Sequence, residues 1–167
     1  MLAREKDRML IITRYSIDCK RYHESNENIT WQDCTLRKWL NNDFINSAFN
    51  EEERDLILEV KNQNHDNSEY NTTGGEDTLD KIFLLSIDEV QKYFKDDDAR
   101  KCKPTPYAKM RGVNSYHGFC CWLLRSPGYS QHNAAYVLIG GGVCTLGFSV
   151  NYDNDAARAA LWLNLAS

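Results

Sequence analysis

The chain has 167 residues, of which 42% are hydrophobic and 26% are charged, and its formal net charge is -4. A chain of this length can bury one sizeable core, so the composition predicts a single domain over residues 1–167. The acidic balance leaves no basic surface for phosphates, so we expect no nucleic-acid partner. No window approaches the roughly 20 apolar residues of a spanning helix, and no signal-peptide core precedes the domain, so we expect a soluble chain without membrane insertion.

The cysteine pattern argues against a metal site. None of the six cysteines has the C-x-x-C spacing by which two thiolates share a zinc ion, so we expect no metal and no cofactor. Without an export signal, most of them are interpreted as small buried hydrophobes in a reducing compartment. A disulfide between distant cysteines stays open. The six are Cys19, Cys34, Cys102, Cys120, Cys121 and Cys144.

The N-terminal part begins with one apolar run and one helix signal. Residues Met9–Tyr15 form an unbroken apolar run, which predicts a central strand. The polar, aperiodic stretch Ser16–Ile29 predicts a loop. Thr30 is a suitable first residue of a helix, and Asn41–Asp43 is expected to interrupt that helix.

A second helix is expected further along the chain. Asn50 and Glu53 have the spacing of a capping box, and Leu56, Ile57 and Val60 follow at the spacing of one buried helical stripe. The pattern therefore predicts a helix that carries all three apolar residues on one face.

The middle of the chain alternates between polar and apolar segments. Lys61–Asp77 is the longest polar tract and predicts a surface loop, and Lys81–Leu85 predicts a strand. Ser86 and Glu89 form another capping box, which predicts a third helix. The prolines of Cys102–Met110 predict an extended, irregular segment.

The segment Cys121–Gly128 predicts a core strand that ends abruptly. Its apolar run closes with Ser-Pro-Gly, where proline lacks a ladder donor. Arg125 within this strand and Arg158 near the end of the chain are expected to be buried. A buried guanidinium needs partners, so we expect both to bond carbonyls or acids in a structural role. After Gly128 the chain consists of short pieces separated by glycines, which predicts a small antiparallel sheet.

Several of these segments resemble the bacterial domain-of-unknown-function family 6273. The resemblance implies an α+β, C-type-lectin-like fold related to formylglycine-generating enzymes, with two or three helices packed on a small twisted, mainly antiparallel sheet. The expected core residues are Trp39, Leu85, Trp122, Leu123, Val137, Val150 and Trp162. The segments that carry the resemblance are Thr30–Phe49, Thr78–Phe94, Cys121–Gly128, Asn133–Val137 and Arg158–Leu165.

The chain departs from the family pattern at two places. The closing motif, which is usually Arg-Pro-Ala-Leu, is Arg158-Ala159-Ala160-Leu161 in this sequence. The lost proline bears on the local backbone geometry and not on the fold. The resemblance also implies a strand before Met9–Tyr15 that this chain would lack, as a shortened form or a fragment.

The resemblance also suggests a function for the last third of the chain. The C-type-lectin-like fold is used by variable proteins of diversity-generating retroelements, which randomise adenines in template codons. Family members commonly have Asn, Asp, Ser or Gly at the outer positions, and a randomised Asn codon can give every residue type found there. We therefore hypothesise a diversified face that binds a protein or other surface ligand. Its residues are Tyr129, Ser130, His132, Leu138, Ile139, Cys144, Leu146, Phe148, Ser149, Tyr152 and Asp153.

Two alternatives remain. In the first, the protein is an undiversified structural or cell-surface interaction domain whose outer residues drifted or pack under the polar loop. In the second, it is a metal-dependent oxidase-like enzyme. Cys120 and Cys121 are adjacent, so in a strand they would point to opposite faces and could not jointly hold a metal. The four histidines are scattered through predicted loops. The sequence thus favours a non-catalytic binding module and leaves its oligomeric state open.

Overall fold

Two main sheets organise the computed structural model, which describes residues 1–166. The first sheet has the order β1 (Ala3–Arg4), β2 (Arg8–Ile12), β13 (Ala160–Asn164) and β5 (Ile57–Leu58). The second has the order β11 (Val143–Ser149), β10 (Asn133–Val137), β9 (Trp122–Pro127), β12 (Ala156–Ala157) and β4 (Asp18–Cys19).

Most strand pairs are antiparallel, but two short pairs are parallel. β12 pairs with β9 in the parallel direction, and β3 (Tyr15–Ser16) pairs with β8 (Lys103–Pro104) in the same way. A separate antiparallel ribbon joins β6 (Val60–Asn62) to β7 (Thr78–Asp80). The fold is therefore α+β with twisted, mainly antiparallel sheets, as the sequence predicts at that coarser level.

The helices are more numerous and shorter than the sequence predicts. They are α1 (Thr35–Trp39), a π-helical segment (Leu40–Phe44), α2 (Ile45–Ala48), α3 (Glu51–Leu56), α4 (Ile87–Tyr93), α5 (Asp97–Arg100) and α6 (Pro106–Met110). Within residues 1–166, none of these helices has the length and apolar character needed to cross a membrane.

The first helix differs from its prediction at its start and at the predicted break, Asn41–Asp43. Helix α1 begins five residues later than Thr30 because the Cys34 sulfur accepts a hydrogen bond from the Arg37 N–H at 3.4 Å. The helix also continues through Asn41–Asp43 in the π-helical segment. There the Asn41 side chain accepts hydrogen bonds from the backbone N–H groups of Lys81 and Ile82 at 2.9 and 3.0 Å. The tertiary contact of Asn41 with Lys81 and Ile82 therefore lies in the segment that was predicted to break the helix.

The second helix is correct at its start and wrong at its end. Asn50 and Glu53 form both hydrogen bonds of the capping box. The predicted stripe does not exist, because α3 ends at Leu56, whose side chain is exposed. Ile57 is buried in β5, which pairs with β13, and Val60 belongs to β6, which pairs with β7. Strand pairing therefore overrides the helical spacing.

The middle segments are likewise partly confirmed. Phe83, in the predicted strand Lys81–Leu85, forms only an isolated bridge with Ala160, although Ile82 to Leu85 are all buried. The Ser86–Glu89 capping box is confirmed at the start of α4. The Cys102–Met110 prediction is wrong in its second half, because Thr105 caps α6 by accepting a hydrogen bond from the Ala108 N–H at 3.0 Å.

The predicted core is confirmed with one exception. Leu85, Trp122, Leu123, Val137, Val150 and Trp162 are buried. Trp39 is only half-buried, and the Lys20 ammonium lies 4.6 Å from the centre of its ring. β9 is buried over its whole length because β10 and β12 pair with its two edges and α4 packs against it.

Candidate ligand-binding face

The predicted binding residues lie on and around the hairpin formed by β10 and β11. β11 is the edge strand of its sheet, and β10 lies between it and β9. Four of the five β10 residues are buried, whereas none of the seven β11 residues is. One strand of the hairpin therefore anchors the other at the surface.

All the predicted site residues are accessible to solvent, at least in part. We call this set the display face. Seven of its members are exposed, namely Tyr129, His132, Leu138, Leu146, Phe148, Tyr152 and Asp153. Four are half-buried, namely Ser130, Ile139, Cys144 and Ser149.

Three aromatic rings form a stack at the centre of the display face. The Tyr136 and Phe148 rings are nearly parallel with their centres 4.2 Å apart, and the Tyr152 ring centre lies 5.1 Å from that of Phe148. Tyr136 is buried, and this burial, with a hydrogen bond to Cys144 as a further cause, raises the pKa of its phenol. Phe148 and Tyr152 therefore rest on a fixed neutral ring and expose apolar area to solvent.

A second aromatic contact comes from the polar loop. The Tyr70 ring meets the Tyr129 ring edge to face, with the centres 6.5 Å apart. Beside them the Thr145 hydroxyl donates a hydrogen bond to the Glu69 carboxylate at 2.5 Å. Sequence reasoning missed Tyr70 and Glu69, although Tyr70 is the only aromatic residue between Lys61 and Asp77 and so carries a recognisable signal.

A buried asparagine ties this loop to the hairpin. The Asn67 side-chain nitrogen donates to the carbonyl oxygens of Pro127, Gly128 and Thr145, at 3.0, 3.2 and 2.9 Å. Asn67 also closes the tip of its own loop through a bridge with Thr72. Nothing in the sequence distinguishes Asn67 from the other asparagines of the tract, so this contact could not be predicted.

Two glycines allow close backbone approach beneath the display face. A Cβ atom on Gly128 would lie 2.4 Å from the Leu146 carbonyl oxygen. Gly147 has a φ of +80°, and a Cβ atom there would lie 2.7 Å from the Ala134 carbonyl oxygen. The pairing of β10 and β11 shifts register at this point, between Ala134 and Tyr136. The bulge fixes where Leu146 and Phe148 leave the strand.

The polar members of the display face are held by local bonds. The Ser130 hydroxyl donates to the Asn133 side-chain oxygen at 2.8 Å, and the Ser149 hydroxyl donates to that of Asn151 at 2.7 Å. Asp153 lies 3.5 Å from the Arg21 guanidinium. These groups are oriented before any ligand is present.

The structure does not bring all the predicted residues to one spot. Leu138 and Ile139 lie in the turn between β10 and β11, where the Gly141 N–H donates to the Leu138 carbonyl at 2.8 Å. Ser130 and His132 precede the other end of β10, which at 3.3 Å per residue is roughly 16 Å away. The display face is therefore elongated along the hairpin.

The residues considered for an enzyme stay apart. The His117 ring meets the Tyr116 ring edge to face with the ring centres 4.1 Å apart, and His117 makes no hydrogen bond to Cys120 among the described residues. Within residues 1–166, no group of three or more His, Cys, Asp and Glu side chains is placed to hold a metal ion.

Arg125 has the structural role that the sequence predicts. Its guanidinium donates to both oxygens of the Glu89 carboxylate, to the Leu84 carbonyl at 2.9 Å and to the Gln63 carbonyl at 3.2 Å. A further hydrogen bond, at 3.2 Å, goes to the Asn64 side chain. The arginine therefore joins β9, α4 and the polar loop behind the display face.

Arg158 bonds carbonyls and has no acid among its hydrogen-bond partners. It donates to the Thr13 and Arg100 carbonyl oxygens at 3.1 and 3.2 Å, and its guanidinium lies 4.8 Å from the centre of the Trp122 ring. Burial lowers the pKa of Arg158. Close to it in sequence, Asp155 is also buried, and burial raises the pKa of this carboxyl to about 7.

A broad cleft lies away from the display face. It has a volume of about 630 Å³, and its walls include Arg8, Lys92, Trp162, Arg125 and Glu89. Arg125 and Glu89 bond each other, and Arg8 lies over the Trp162 ring at 4.4 Å. Three of the charged groups in its walls therefore have partners within the chain.

The molecule is thus an α+β domain with an exposed apolar hairpin and a buried polar support. The chain belongs to the family described as Domain of unknown function (DUF6273), whose model matches residues 6–165. Comparisons with curated proteins and with solved structures gave no match.

Proposed function

We propose that this protein is a non-catalytic ligand-binding module that acts through the display face. The observation that carries the proposal is that none of the eleven residues of this face is buried, although they surround β10, one of the most buried strands of the molecule. Large apolar residues at such positions keep a substantial part of their surface exposed to solvent. Their exposure is typical of a surface that another molecule covers.

The character of the face favours a protein ligand. Tyr129, Leu138, Leu146, Phe148 and Tyr152 are all between 38 and 52% exposed. Aromatic rings and aliphatic side chains supply contact area at low entropic cost, and the serines, histidine and aspartate between them supply directed hydrogen bonds. The cleft of about 630 Å³ contains none of these residues, so a small molecule would find this concave site away from the display face.

We further propose that the frame is C-type-lectin-like and that the display face is diversified by a retroelement. The antiparallel sheets and short helices support the first part of this proposal. The second part is supported by the contrast between a tightly bonded frame and outer residues whose types all arise from a randomised Asn codon. Substitutions at these exposed positions would leave the Asn67 and Arg125 contacts intact.

The genomic neighbourhood tests diversification. We expect a reverse transcriptase gene and a near-copy of the segment that encodes residues 129–153, with differences only at adenines of the template. A neighbourhood without both features would remove diversification and leave an undiversified interaction domain.

A pair of variants tests the binding role. Replacing Tyr129, Phe148 and Tyr152 together by alanine removes the exposed rings. Replacing Tyr107, Met110 and Tyr116 removes three large side chains elsewhere that are at least as exposed on average. We expect cross-linking to surface proteins of the host cell to be lost in the first variant and retained in the second, with a change in Tm of less than about 3 °C in both. Equal cross-linking by both variants would contradict the proposal.

A further inference from the structure

Cys102 and Cys120 face each other across an isolated antiparallel bridge. The Cys120 N–H donates to the Cys102 carbonyl oxygen at 2.9 Å. Residues directly opposite in such a bridge have Cα atoms about 4.5–5.5 Å apart, within the range that a disulfide spans. The backbone therefore needs little movement to join the two sulfur atoms.

The Cys120 thiol also contacts Cys102, because its sulfur donates a hydrogen bond to the Cys102 carbonyl oxygen at 3.5 Å. A hydrogen bond from Cys120 lowers the pKa of Cys102, with the nearby Arg158 guanidinium as a further cause, while burial acts in the opposite direction. The same hydrogen bond raises the pKa of Cys120. The Cys120 sulfur lies 3.5 Å from the Ser16 hydroxyl. Cys102 is therefore favoured as the thiolate and Cys120 as the proton donor.

A cationic cleft adjoins the pair. It has a volume of about 280 Å³, and Lys101 and Lys103, which flank Cys102, contribute to its walls. Phe119, which precedes Cys120, and the Arg158 side chain complete that side of the cleft. Neither cysteine is among the residues that line this cleft, and both are buried, so an oxidant must be small to reach them past the flanking side chains.

We propose that Cys102 and Cys120 are a redox-active pair that a small hydroperoxide converts to a reversible disulfide. This property is independent of the display face, which lies on other strands. None of the remaining cysteines has another cysteine opposite it in a strand pair within residues 1–166.

The reaction balances with hydrogen peroxide as the oxidant. The Cys102 thiolate attacks one peroxide oxygen, the O–O bond breaks, and the departing hydroxide takes a proton to become water. The Cys120 sulfur then attacks the sulfenic acid at the Cys102 sulfur, the S–O bond breaks, and the Cys120 proton leaves with the second water. Two thiols lose two electrons in total, and one peroxide gains them. A thiol reductant reverses the change.

Thiol counting and peptide mapping test the proposal on the full chain. After reduction and treatment with hydrogen peroxide, denatured protein should give four maleimide-reactive thiols in place of six. Unreduced digests should contain the Cys102 peptide joined to the Cys120 peptide. The oxidised protein should show a Tm higher by about 5 °C, which returns to its original value on reduction.

Matched variants identify the atoms involved. The variants C102S and C120S should form no internal disulfide, whereas C121S and C144S should form the same one as the natural chain. Cys121 is the essential control because it shares a peptide with Cys120. Six reactive thiols after oxidation, a bridge that disappears in C121S, or an oxidised form with an unchanged or lower Tm would each overturn the proposal.

Discussion

Strands β9 and β11 belong to one sheet, with only β10 between them, and they are opposite in character. Every residue of β9 is buried, and no residue of β11 is. Both strands are rich in apolar side chains, so hydrophobicity alone does not separate them. Their position does, because β9 has neighbours on both edges and β11 is an edge strand.

This difference separates β9, which supports the sheet from within, from β11, which carries part of the display face. The β9 side is fixed by a dense polar network in which Arg125 alone bonds Glu89, two carbonyl groups and Asn64. The β11 side is fixed through its backbone, by the Asn67 hydrogen bonds and the bulge at Gly147. Backbone contacts therefore hold β11 in place while the Leu146 and Phe148 side chains stay exposed.

The largest effect is expected from the β9 side. Replacing Arg125 by alanine leaves the Glu89 carboxylate and the Leu84 and Gln63 carbonyls without their buried donor. We expect a loss of about 4 kcal/mol in the free energy of unfolding, measured by urea denaturation. Arg111→Ala is the control, because this side chain is half exposed and lies 3.7 Å from Asp18. A similar small loss in both variants would contradict the structural role of Arg125.

The next effect depends on pH. Asp155 is buried, and among the described residues its Oδ2 atom has no hydrogen-bond partner. Because burial raises its pKa to about 7, the folded state retains a proton that the unfolded state releases near pH 4. The stability of the natural chain should therefore fall between about pH 4 and pH 7, by on the order of 3 kcal/mol.

The comparison variant for this prediction is Asp155→Asn, which cannot titrate. Its free energy of unfolding should lack this fall, and the natural chain should lose stability relative to it as the pH rises. The exposed neighbour Asp153 serves as the matched control, and Asp153→Asn should keep the pH dependence. Parallel pH profiles for the natural chain and Asp155→Asn would exclude the buried carboxyl as the cause.

A smaller effect is expected at the glycine that joins the two regions. A Cβ atom on Gly128 would meet the Leu146 carbonyl oxygen at 2.4 Å and the Asn133 Cβ at 2.6 Å. We expect Gly128→Ala to cost about 2 kcal/mol in thermal or urea unfolding. Gly140→Ala is the control, since nothing lies within 4 Å of a Cβ there. Equal stability of the two variants would show that the β10–β11 hairpin shifts relative to β9 at little cost in free energy.

The smallest effect is expected on the display face itself. Leu146 is 50% exposed, so Leu146→Ala should change the free energy of unfolding by less than about 0.5 kcal/mol. The same substitution at the fully buried Leu124 of β9 should cost about 3 kcal/mol. Comparable losses at both leucines would remove the distinction between support and display.

Much of the local structure could be predicted because its causes are local. The capping boxes at Asn50 and Ser86 involve residues three apart, and both are confirmed. The strand that contains Trp122 ends at Pro127, as its sequence predicts. The errors occurred where distant partners intervened, as at Asn41, whose side chain bonds Lys81 and Ile82.

The candidate site was predicted in its residues but not in its surroundings. The eleven residues of the display face were identified through a family resemblance, and the structure places each of them at least partly in contact with solvent. Tyr70, Glu69 and Asn67 were missed because they lie about 60 residues or more away in the chain and reach the hairpin only in the folded protein. Sequence patterns carry no direct record of such contacts.

The sequence by itself determined the α+β class, the family, most of the core, and the helix starts that short-range hydrogen bonds define. The tertiary structure decided which apolar residues stay at the surface, because burial depends on which neighbours cover a strand. It also decided how the polar loop supports the hairpin and which cysteines stand opposite each other. These outcomes depend on long-range pairing of chain segments, which composition and periodicity do not specify.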